Sequence, residues 1–95
     1  MEQQEAYEKD MIIKLKKWES KIDELKAEMD KADAQARESL YKEIEKLQEL
    51  QRKAHEKIDA IKHAGKESFN DIKTGTEKAM KDLEEAVGSV LSRFK

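Results

Sequence analysis

The sequence predicts an all-α protein of long amphipathic coiled-coil helices, a helical hairpin that assembles into an antiparallel oligomer or four-helix bundle. Three observations carry this expectation. The 95 residues include no proline and only three glycines, so the punctuation of a turn-rich or sheet-rich domain is missing. Apolar residues recur at helical spacing along nearly the whole chain, while the 44% of side chains that are charged fill the remaining faces. Acidic residues also precede basic ones by four positions at Glu5/Lys9, Asp10/Lys14, Glu38/Lys42, Glu49/Lys53 and Glu77/Lys81. Each such pair adds a few tenths of a kcal/mol to a helix, and together they describe a solvated surface.

The chain reads as one helical domain over residues 1–95, whose first element is a long helix over 4–63. From Met11 the apolar positions alternate four and three through Leu15, Trp18, Ile22, Leu25, Met29, Ala32 and Ala36. That is a heptad seam, a narrow stripe whose side chains insert between those of a neighbouring helix. Tyr7 and Tyr41 stand near its ends, where a ring can pack and a hydroxyl reach water. The stripe then runs from Ala36 through Leu40 and Ile44 to Leu47 with a 4-4-3 step, so the rhythm changes near residue 40. A turn at ADAQAR, residues 32–37, would divide the chain more evenly, but Ala, Gln and Arg are good helix formers and provide no stop. The helix is therefore expected to continue.

After Leu47 a degenerate 11-residue repeat takes over: Leu47/Leu50/Ala54, Ile58/Ile61/Gly65, Phe69/Ile72/Thr76 and Met80/Leu83/Val87, then Leu91/Phe94. Eleven residues in three turns favour nearly straight or slightly right-handed packing. The hinge is expected within residues 63–76, before a second helix over 68–94. Gly65 is one candidate helix end, with Ser68 capping the second helix, and Thr74 with Glu77 is another capping signature. A helix continuing through both is a third arrangement, at about 1 kcal/mol for each internal glycine relative to alanine.

A hairpin so uneven leaves seam uncovered, and a homo-oligomer or a partner helix would cover it. The interface residues expected from this are Trp18, Ile22, Leu25 and Met29, followed by Leu40, Ile44 and Leu47. The second half supplies Ile58, Ile61, Phe69, Ile72, Leu83 and Val87. Replacing Ile22 or Leu25 with Asp is expected to disrupt assembly by burying a charge.

Other function classes find less support. Twenty basic residues against 22 acidic ones give a net charge of −2, and acids interrupt almost every basic run, which argues against nucleic-acid binding. The chain has no cysteine, so thiolate chemistry and thiolate metal sites are excluded. His55 and His63 are eight residues apart, too far along one helix to share a metal ion, and no metal or cofactor is expected. The serines lack a strained nucleophile turn, Gly65, Gly75 and Gly88 lack phosphate-loop spacing, and a solvated helix offers no cleft for paired carboxylates. The expectation is a non-catalytic structural or protein-interaction module. The competing reading is a stress-protective or reversible lipid-surface helix, because the later repeat has the form of an amphipathic membrane-surface stripe. Its narrowness and the lack of a strongly basic face weigh against that reading. The acidic MEQQEAYEKD start lacks the basic region and apolar stretch of a secretory signal, which sets cytoplasmic residence as the expectation.

The segments KKWESKIDELKAEMDKADAQA, residues 16–36, and AGKESFNDIKTGTEKAMKDLEEAV, residues 64–87, resemble a family of small bacterial coiled-coil proteins of largely unknown function. Trp18, Gly65, Phe69, Ile72, Lys73 and Gly75 match its pattern, whereas Met80 stands where many of its members carry tryptophan. The resemblance implies an Ala/Gly hinge between amphipathic helices and a link to stress. The 11-residue track is more loosely similar to apolipoprotein-like and desiccation-associated helices.

Overall fold

The computed structural model describes residues 2–94 and the side chains of residues 3–93, so the side chain of Phe94, last on the repeat track, lies outside the described residues. Among these residues the chain is three α-helices: α1, Glu2–Lys31; α2, Ala34–Lys62; and α3, Lys66–Phe94. They form an all-α bundle, up-down-up. Glu19 of α1 meets Gln51 of α2, Arg93 at the end of α3 meets Glu43 near the start of α2, and Tyr7 near the start of α1 meets Phe69 near the start of α3. α1 and α3 are thus parallel to each other and antiparallel to α2. The bundle is a rod of 50 × 18 × 17 Å between Cα extremes.

The expected single helix over 4–63 is instead two helices, divided at Ala32 and Asp33. Asp33 caps α2: its backbone is extended and its Oδ1 accepts from the Ala36 N–H at 2.9 Å. One acceptor satisfies one of the four orphan donors of a helix start, which is enough to mark a boundary among good helix formers. Arg37 closes the other side, donating to the carbonyls of Met29 at 3.3 Å and Ala32 at 3.2 Å as α1 ends. The seam also weakens here. Between Met29 and Leu40 it offers only Ala32 and Ala36, so a fold-back gives up little apolar packing.

The second turn occupies His63, Ala64 and Gly65. His63 and Ala64 donate to Ala60 and Ile61 in a tightened last turn, and the Gly65 carbonyl accepts the first bond of α3 from Phe69 at 3.0 Å. No described glycine has a positive φ, so Gly65 does not act as a left-handed helix stop. Ser68 lies inside the first turn of α3 rather than capping it. Thr74 is mid-helix, its hydroxyl donating back to the Asn70 carbonyl at 3.0 Å, and α3 runs through Gly75. Gln4 reaches across from α1 and donates its amide to the carbonyls of Ile61 and Ala64, the latter at 3.1 Å, tying three chain segments at one end of the rod.

All three helices contribute to one core. Met11, Leu15, Ile22 and Leu25 come from α1, Leu40, Ile44, Leu47, Ala54 and Ile58 from α2, and Met80, Leu83, Val87 and Val90 from α3. Among the described residues Thr76 is the buried polar one; its hydroxyl donates to the Ile72 carbonyl one turn back at 2.8 Å. The apolar edge expected to require a second chain is therefore covered within this one. No helix of the described residues is long and apolar enough to cross a membrane.

Candidate functional site

Of the thirteen residues expected at an interface between chains, Ile22, Leu25, Leu40, Ile44, Leu47, Ile58, Ile61, Leu83 and Val87 are buried inside this chain. Met29 packs on the edge of the core, Phe69 stands edge-on to Tyr7 with ring centres 5.9 Å apart, and Ile72 is half-buried on α3. Trp18 differs from them. It packs against the core from the α1 side and also lines a groove between α1 and α3.

This groove follows from the order of the helices. α2 is joined to both neighbours by short turns and packs along each, whereas α1 and α3 make fewer contacts with one another. The space left between them, about 530 Å³, is floored by Met11, Trp18 and Met80. Two thioethers beside an indole make an apolar and adaptable floor. The rim is charged: Lys14 and Lys17 on α1, and Glu77, Lys81 and Glu84 on α3. Lys14 is 3.5 Å from Asp10, and the Lys17 Nζ is 5.4 Å from the centre of the Trp18 ring. Such exposed pairs are worth under about 1 kcal/mol and are readily exchanged.

Tyr7 closes the groove at one end. Its hydroxyl donates to the Lys73 carbonyl at 3.3 Å, and the Lys73 Nζ sits 5.3 Å from its ring centre. Burial, followed by the nearby carboxylates of Glu77 and Asp10, pushes the phenol from its ordinary 10 up to about 12. The ring is thus held neutral, a structural clasp between the second turn of α1 and the third turn of α3.

A second cleft of about 510 Å³ lies where α1 begins beside the α2–α3 turn, lined by Gln4, Glu5, Glu8, Ile61, Lys62, Ala64, Gly65 and Lys66. Its two acids and two lysines balance, and its amide holds the end of α2. Elsewhere the surface is solvated helix: the Arg52 guanidinium sits between Glu49 and Glu56 and holds the Glu49 carboxyl below the usual carboxylate range. Ile13, 67% exposed, and Tyr41, 54% exposed, are large apolar residues outside the groove, and isolated cases of this kind are ordinary on protein surfaces. His55 and His63 are both exposed, and among the described residues no three His, Cys, Asp or Glu side chains gather as a metal site.

Sequence reasoning reached Trp18 but missed Lys14, Lys17, Met80, Glu77 and Glu84 as one site, because they converge only when α3 lies parallel to α1. Comparison with family models, with curated proteins and with solved structures returned no match.

Proposed function

We propose that this chain is a non-catalytic protein-interaction module that receives a helix in the groove between α1 and α3. The observation that carries the reading is the unequal closure of the bundle, with α1 and α3 fastened to α2 while Met11, Trp18 and Met80 floor the space between them. A fourth helix laid there would complete a four-helix arrangement, burying its own apolar stripe on that floor. Apart from Glu8, whose Oε2 is buried without a hydrogen-bond partner, the polar groups named above are engaged within the bundle. Gln4 holds the end of α2, Tyr7 joins α1 to α3, Gln51 donates to Glu19 at 2.6 Å, and Thr76 bonds its own helix. A lipid-surface role would require Met80, Leu83, Val87 and Val90 to leave the core.

Trp18 is the only tryptophan and reports directly on the groove. Dilute protein is titrated with a model amphipathic helix carrying a leucine stripe, glutamate along one flank and lysine along the other. The expected result is a saturable blue shift of the indole emission with weaker quenching by acrylamide. A peptide of the same composition with its leucines scattered should leave both unchanged. Emission indifferent to the amphipathic peptide refutes helix docking in this groove.

A further inference from the structure

The charges on the groove rim are ordered along the two parallel helices. α1 presents lysines at 14, 17 and 21 along its flank, and α3 presents Glu77, Lys81 and Glu84. Tyr7 stands beside Phe69 and Lys73, and this register sets Lys14 level with Glu77 and Lys21 level with Glu84. We propose that the helix-bearing partner of this groove is a second copy of the same chain, docked face to face about a two-fold axis running along the rod. The proposal rests on the reading of the α1/α3 face as a helix-docking site, and covers that face with the two helices of a second copy in place of a single one.

Two symmetric ways of closing the groove on itself differ in what they bring together. With the two-fold along the rod, the copies are parallel and α1 of each lies over α3 of the other. Lys14 then faces Glu77 of the second copy and Lys21 faces Glu84, each contact occurring twice, while Lys17 faces Lys81 as the like-charge contact of this pairing. With the two-fold across the rod, the copies are antiparallel and α1 lies over α1. Lys14, Lys17 and Lys21 then oppose the same lysines, and Glu77 opposes Glu84. The parallel pairing sets two opposite-charge contacts against one like-charge contact, whereas the antiparallel pairing sets like charges together throughout, so the balance selects the parallel pairing.

The lysines are available for exchange, because their present partners within α1, Asp10 at 3.5 Å from Lys14 and Glu24 at 3.9 Å from Lys21, are exposed neighbours one turn away. Trp18 of each copy would lie at the same height beside the axis, against Met80 of the other.

The test is sedimentation velocity of the full chain from micromolar to near-millimolar concentration, with acrylamide quenching of Trp18 followed in the same samples. The expected result is a concentration-dependent dimer in which Trp18 becomes protected. Reversing the α1 charges in the Lys14→Glu/Lys21→Glu variant should weaken the dimer about 10- to 100-fold, since four rim contacts become repulsive. Adding Glu77→Lys and Glu84→Lys to that variant should restore it. Circular dichroism of each variant establishes that the bundle is folded. A wild-type chain that stays monomeric overturns the second-copy proposal, while the peptide titration of Trp18 decides helix docking separately. A dimer that ignores the charge reversals, or that leaves Trp18 as quenchable as in the monomer, overturns this placement of the interface.

Discussion

Leu25 offers the most direct check on the internal core. It is 0% exposed and belongs to the cluster that joins all three helices. Leu25→Ala removes three carbons, a transfer loss of about 2.4 kcal/mol at ~0.8 kcal/mol for each buried methylene. The cavity left in a rod of helices that cannot fully collapse brings the total to about 3–4 kcal/mol. A domain of this length holds roughly 5–14 kcal/mol, so the variant should remain folded when cold. Its thermal midpoint should fall by roughly 12–32 °C, at about 4–8 °C for each kcal/mol. The assay is thermal unfolding followed by circular dichroism at two concentrations a hundredfold apart, with wild type alongside. Because Leu25 is covered within its own chain, the deficit should be the same at both concentrations. A loss below about 1 kcal/mol would show that Leu25 is not enclosed by its own chain, and a deficit that grows as concentration rises would show that another copy covers this position. Leu25→Asp is for the same reason a probe of folding, since it places a charge inside the bundle.

Asp33→Ala removes the acceptor for the Ala36 N–H and should lower stability by about 1 kcal/mol, read from urea unfolding, with Asp33→Asn retaining most of it. An Ala variant as stable as wild type would mean that Arg37 alone sets the first turn. Gly88 is mid-helix in α3 and a Cβ built there meets nothing within 4 Å, so Gly88→Ala should raise stability by about 0.8–1 kcal/mol. A destabilised Gly88→Ala would reveal a contact that the monomer lacks. With Tyr41→Phe, Tyr7 becomes the only tyrosine, and its ultraviolet titration should show a midpoint near 12 rather than 10. The raised folded value means that this contribution to stability is complete below pH 10 and is lost as pH rises toward 12. A midpoint near 10 would place the phenol in solvent.

Helix content and the identity of the apolar stripe were legible because both are local properties. A proline-free chain with regular spacing has few alternatives to helix, and periodicity names the side chains that share a face. It does not name what covers that face. Ile22, Leu25, Leu47 and Leu83 satisfy a seam between chains and a core within one chain equally well, and the choice turned on whether the chain folds back at Ala32–Asp33. That break was concealed by its economy: one aspartate supplies the cap, helix formers surround it, and the arginine that closes α1 stands beyond the turn. Its trace in the sequence was the 4-4-3 step after Ala36, which reads as a change of supercoil but reflects two helices with independent phases. The groove was less legible still. Lys14, Lys17 and Lys21 are an ordinary solvated flank until α3 is laid parallel to α1, level with them. A site built from the unequal closure of three helices depends on the position of both turns, and the one at Ala32–Asp33 is set by the Asp33 acceptor and the Arg37 guanidinium. Shifting that cap by one residue would rotate α2 by about 100° against α1 and carry Leu40, Ile44 and Leu47 out of the core, and the α1/α3 groove would then lose the α2 support that holds its two walls parallel.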